Sequence, residues 1–161
     1  MKRVISVATV VALAAVIFSS CGSEKTPEEL LTYKNGWKMS KATSTPAYKN
    51  NDGVEDADLF ESYFYECEQK DVLYFKSDGD GKRTVLAHGC FDDGKETTGT
   101  WEFSDSDGKL LKFRIPFFEE EKYATVDVTK LEEDVFEFTY SWTKAGTTDE
   151  YKFRITYAHA K

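Results

Sequence analysis

The strongest constraint on this chain lies in its C-terminal third, where bulky apolar side chains recur at every second position. Phe136, Phe138, Tyr140 and Trp142 alternate with Glu137, Thr139 and Ser141, and Tyr151, Phe153, Ile155 and Tyr157 alternate with Lys152, Arg154 and Thr156. A period of two puts one set of side chains on one face of an extended segment and the other set on the opposite face. It therefore predicts two strands, each with one buried and one wet side. Lys144-Ala145-Gly146-Thr147 lies between them and supplies a turn, with a glycine free to take positive φ, so the two strands pair antiparallel.

The same reading gives further strands near residues 37 to 44, 71 to 77, 82 to 88, 98 to 104, 109 to 116 and 122 to 129, eight in all. Ser77-Asp78-Gly79-Asp80-Gly81 and Ser104-Asp105-Ser106-Asp107-Gly108 read as hairpin turns. No segment between the later strands is long enough for the crossover that parallel pairing requires. The expected topology is an antiparallel meander. Eight such strands with one aromatic face either close into a barrel, which removes exposed edges, or split into a sandwich, and consecutive hairpins favour the barrel. The predicted class is all-β, an eight-stranded up-and-down antiparallel barrel.

Two helices are expected beside it. Thr26-Pro27-Glu28-Glu29 has a capping threonine, a proline suited to the first helical position and a glutamate three residues on that reaches back, with Leu30 and Leu31 as the apolar side and Asn35-Gly36 as the stop. Between the first and second strands, Asp52 to Tyr65 carries Leu59, Phe60, Tyr63 and Phe64 on one helical face and early acids, and predicts an amphipathic capping helix.

The N-terminus is of a different kind. Lys2 and Arg3 precede fifteen apolar or small residues, Val4 to Phe18, and then Ser19-Ser20-Cys21. The run is shorter than the ~20 residues of a spanning helix and suits the core of a signal peptide. It resembles a bacterial lipoprotein signal, which implies cleavage before Cys21 and acylation of Cys21, with palmitate-like chains as the anchor. An ordinary cleaved signal or an uncleaved anchor are the alternatives. The expected organisation is a signal peptide over 1–20, a lipidated tether and short helix over 21–35, and a barrel domain over 36–161. Gly22 argues for delivery to the outer membrane, on its periplasmic or surface face.

Without residues 1–20 the chain keeps 19 basic and 29 acidic side chains, a net charge of −10. That charge repels phosphate backbones and anionic lipid headgroups, so nucleic acid is not an expected partner. Assigning Cys21 to the lipid leaves Cys67 and Cys90 as an even pair in an oxidising compartment, where a disulfide is expected. A metal site would have to use His88, Cys90 and His159, without the paired Cys-x-x-Cys spacing of structural zinc. No cofactor is expected.

Taken together, several segments resemble the lipocalin-like domain lipoproteins of Gram-negative bacteria: the signal, Leu30-Leu31 leading to Gly36-Trp37-Lys38, the run from Cys67 to Gly79, Cys90, Gly99-Thr100-Trp101 and the closing aromatic hairpin. The resemblance implies a small up-and-down barrel, a tryptophan near the start of the first strand packed over one barrel end, a bridge at the matching cysteines, and a cation from the last strand over that tryptophan. Arg154 is the nearest match by position. Gly36 and Trp37 are adjacent here, whereas the Gly-x-Trp spacing of lipocalins falls at Gly99 to Trp101.

The inward aromatic set, represented by Trp37, Phe75, Trp101, Phe138, Tyr140, Trp142, Tyr151 and Tyr157, either fills the barrel or lines a pocket for a small apolar or amphipathic molecule. Buried tyrosine hydroxyls and indole N–H groups need partners, which a ligand or water can supply. The Asp-rich turns have glycine or proline where a calcium loop needs its bidentate glutamate, and they read as turns. Neither histidine lies in a nucleophile or metal motif, so no enzyme is expected. The leading expectation is a membrane-anchored binding protein for such a molecule. The alternative is a filled barrel that docks a protein or glycan through its acidic exterior.

Overall fold

A computed structural model describes residues 24–32, 35–49, 53–64, 66–78, 83–88, 97–114, 123–144 and 146–160, with the backbone alone at 67, 87, 88, 97 and 98. Helix α1 (Pro27–Leu31) precedes the long strand β1 (Trp37–Lys49). A short strand β2 (Glu55–Asp58) and two single-turn helices follow, α2 (Leu59–Ser62) and α3 (Glu66–Gln69). Strands β3 (Val72–Ser77), β4 (Arg83–His88), β5 (Thr97–Phe103), β6 (Leu110–Arg114), β7 (Tyr123–Leu131), β8 (Val135–Thr143) and β9 (Glu150–His159) then run as successive antiparallel neighbours.

Strand β9 returns to pair with β1 from Trp37↔His159 to Thr45↔Lys152, which closes the sheet into a barrel. Eight strands make the ring: β1 and β3 to β9. These are the eight that the alternation predicts, and the meander order is as expected. Strand β2 stands outside the ring and pairs only with the far half of β1.

Ring closure is uneven. β1 meets β3 through Trp37↔Leu73 and Lys38↔Val72 alone, while it meets β9 along most of its length. Past Lys38 the wall between β1 and β3 opens, and α2 and α3 pack there against β1, with α2 also on β2. Leu59 and Phe64 join the common core. Gln69 holds the two turns together, its Nε2 donating to the carbonyls of Phe60 at 2.7 Å and Phe64 at 3.1 Å.

The helix expected over 52–65 is therefore much shorter, because its early acids serve local turns. The Asp56 carboxylate accepts from the Asp58 amide at 2.8 Å, and Asp58 caps α2 by accepting from Phe60 N at 3.1 Å. Side chains that bind nearby backbone in this way end a helix or start one, and they do not extend it. Upstream of that cap, the chain satisfies its backbone by pairing with β1.

At the other end of the barrel, α1 forms as its sequence predicts. Thr26 Oγ1 accepts from Glu29 N at 3.2 Å, and Glu29 Oε2 accepts from Thr26 N at 2.7 Å, a reciprocal capping box. Five residues are too few to hold a helix in water on their own. Tertiary contacts hold it: Leu31 is completely buried, Glu28 pairs with Arg83 at 2.6 Å, and Lys25 pairs with Glu133 at 2.6 Å.

Candidate functional site

The barrel has two different ends. One end gathers α1, the end of β3, the β5–β6 and β7–β8 connections, the start of β1 and the finish of β9. Here Trp37 is fully buried, its Nε1 donates to the Leu31 carbonyl at 2.8 Å, and its ring meets Phe136 edge-on at 5.8 Å and His159 at 4.5 Å. Trp101 donates Nε1 to the Lys76 carbonyl at 3.0 Å, and the Arg83 guanidinium lies over its ring at 5.2 Å while holding Glu28. Both indole donors are thus satisfied by backbone. The helix plugs this end.

The resemblance-based expectation is met for Trp37 and corrected for Arg154. Arg154 faces outward, as its place in the alternation requires, and pairs with Glu137 at 3.1 Å on the outer wall. His159, two residues beyond the last alternating tyrosine, is the last-strand group that meets Trp37. Burial works against the charge of Glu137, but hydrogen bonds from Thr129 and Thr156 and the nearby Arg154 outweigh it and hold the carboxyl below its usual range.

Above the plug, rings stack continuously. Phe75 meets Phe113 at 5.5 Å and Phe136 at 5.8 Å, Phe113 meets Phe138 at 5.6 Å, and Tyr157 lies nearly parallel to Phe136 and Phe138 at 5.7 and 6.1 Å. Of the eight candidate residues, Trp37, Phe75, Trp101 and Phe138 belong to this packed half. Their fully buried contacts make them core.

Of the remaining four, Tyr140, Trp142 and Tyr151 lie toward the opposite end with residues absent from the sequence-based set. Tyr48 is the hub: its ring meets Tyr63 at 5.3 Å, Tyr151 at 5.1 Å, Trp142 at 6.0 Å and Phe153 at 6.1 Å. Tyr63 also meets Phe64 at 5.4 Å. Exposure rises here, with Tyr140 and Trp142 half-buried and Tyr63 38% exposed. The expected first strand stopped at residue 44, short of Tyr48. An aromatic two residues past Pro46 was the available signal.

Tyr157 lies in the packed half, one inward position from the level of Trp37 and His159. Its side chain is buried, its hydroxyl has no hydrogen-bond partner, and burial pushes its pKa well up, with the Asp71 carboxylate adding to the rise. Asp71, just before β3, is 2% exposed, and Glu68, in α3, is 8% exposed. Asp71 was missed as a site residue. Its signal was parity, because it is in phase with the inward Leu73 and Phe75.

Cys21, Cys90 and the loop over 117–121 lie outside the described residues, as do the side chains of Cys67 and His88. The Asp105 turn is described and is a turn: Asp105 Oδ1 accepts from the Lys109 and Leu110 amides at 3.0 and 2.9 Å. No protein-family model matches the chain, and no characterised protein aligns with it significantly.

Proposed function

We propose that this chain is a lipocalin-like binding protein, anchored to the cell envelope through an acylated Cys21, that takes a small apolar or amphipathic molecule into the end of its barrel opposite α1. The observation that carries the reading is the aromatic cluster at that end, in which Tyr48 and Tyr151 are buried while Tyr63 and Trp142, in ring contact with Tyr48, keep partial exposure, on a barrel whose other end is closed by a helix. Small-molecule sites are concave, mostly apolar and built on rigid walls, and the mouth of a barrel is a common place for them. Tyrosines there supply both apolar surface and hydroxyls that orient a ligand.

The anchor reading is supported by the signal-like segment ending at Cys21 and by the place of Lys25 on the plugged end, paired with Glu133. Outer-membrane delivery rests on Gly22. The Cys67–Cys90 bridge is supported by the register Val72↔His88, which brings the chain five residues after Cys67 beside the chain two residues before Cys90.

Native mass spectrometry of the detergent-solubilised full chain, followed by organic extraction, tests the reading. A co-purified small molecule, lost on Trp142→Ala, supports it. A mass equal to that of the acylated polypeptide alone, with no binding of the neutral apolar fluorophore N-phenyl-1-naphthylamine, rejects it. That result favours the second reading, a filled barrel serving as a protein- or glycan-docking module, which draws support from the continuous ring packing above α1.

A further inference from the structure

The ladder register places Asp71 and Tyr157 on one level of the barrel. Lys38 pairs with Val72 on one side of β1, and Met39 pairs with Tyr157 on the other. Asp71, one residue before Val72, therefore sits level with Met39 and two strand spacings from Tyr157, about 10 Å between backbones. Both side chains share the interior. Leu73 and Phe75 face inward in phase with Asp71, and Asp71 is 2% and Tyr157 1% exposed.

A phenol buried this completely normally has a hydrogen-bond partner, and the Tyr157 hydroxyl has none from the protein. Something that is not protein is needed at this level, and the Asp71 carboxylate restricts what it can be. A head group that donates a hydrogen bond suits this setting: a hydroxyl can accept from Tyr157 and donate to Asp71, and an ammonium can donate to both. A carboxylate would face like charge in a low-dielectric interior.

We propose that the polar end of the ligand is a hydroxyl or ammonium group held between Tyr157 and Asp71, with its apolar tail toward Trp142 and Tyr151, so that the protein selects alcohols or amines over fatty-acid anions. This rests on the binding function proposed above and names the ligand class of the same barrel.

The test compares three probes with one tail, dodecanol, dodecylammonium and dodecanoate, added below their micellar range to the full chain and followed by tryptophan fluorescence and calorimetry. Dodecanol and dodecylammonium should bind at least about tenfold more tightly than dodecanoate. Asp71→Asn should bring dodecanoate up to the alcohol. Tyr157→Phe should weaken dodecanol about fivefold or more, and weaken it more than it weakens N-phenyl-1-naphthylamine. If Asp71→Asn does not fold, the wild-type series and Tyr157→Phe decide alone. Equal binding of all three probes, or no effect of Tyr157→Phe on dodecanol, overturns the head-group assignment and leaves the binding function standing. The latter result would assign the Tyr157 partner to a buried water. Failure of every probe, the fluorophore included, overturns both.

Discussion

The two ends of this barrel are built from the same residue types and differ in how their polar atoms are satisfied. At the plugged end, Trp37 and Trp101 each donate to a main-chain carbonyl, Arg83 bridges Glu28 and Trp101, and α1 supplies Leu31 as a stopper. At the opposite end Tyr48 joins Tyr63, Trp142 and Tyr151 through ring contacts, and Tyr63, Tyr140 and Trp142 keep partial exposure. Stability is concentrated at one end and opportunity for binding at the other. An aromatic residue acts as core or as site according to whether the backbone has already taken up its polar edge.

That contrast predicts unequal costs for equal changes. Trp37→Ala should destabilise by about 3–5 kcal/mol, since it leaves a cavity under α1 and removes the bond to Leu31, whereas Trp142→Ala should cost less than half as much. Urea unfolding of the two variants checks this, and equal costs would erase the distinction between the ends.

A smaller pair uses two glycines in turns at opposite ends. Gly108 has φ of +69°, and a methyl placed on it would overlap Pro27 of α1, while Gly146 has φ of +78° with open space around it. Gly146→Ala should cost about 1–2 kcal/mol from backbone strain alone. Gly108→Ala should cost more, and only this variant should expose residues 24–32 to protease. Thermal melts with limited proteolysis distinguish the two.

The smallest effect is electrostatic. Hydrogen bonds from Ser77 and Arg83 hold the Glu28 carboxyl below its usual range. A depressed folded pKa contributes stability at neutral pH that is lost as pH falls through the folded value. Glu28→Gln should therefore cost less than about 1 kcal/mol at pH 7, since the pair is about one-third exposed, and nothing in strong acid. A pH series of melting temperatures for both proteins measures the convergence. A constant gap down to the lowest pH would show that Glu28 holds α1 by packing and not by charge.

Much of this was legible in the chain. The alternation at 136–142 and 151–157 gave the closing hairpin in register, Phe136 facing Tyr157 and Trp142 facing Tyr151. The capping box at Thr26 and Glu29 formed as written. What escaped were consequences of closure: the extension of β1 to Lys49, the added strand β2, and the role of Asp71, which follow from where β1 parts from β3.

Local rules were enough for strand identity, facing and order, because side-chain parity and short turns act between near neighbours in the chain. They could not say which buried ring would find a carbonyl for its N–H and which hydroxyl would be left without a partner. Those outcomes depend on tertiary placement, as when Trp101 reaches the Lys76 carbonyl from another strand and Tyr157 is brought beside Met39 across the β1–β9 seam. Tertiary closure alone decided that α1 covers one end of the barrel and that Tyr63, Tyr140 and Trp142 keep partial exposure toward the other.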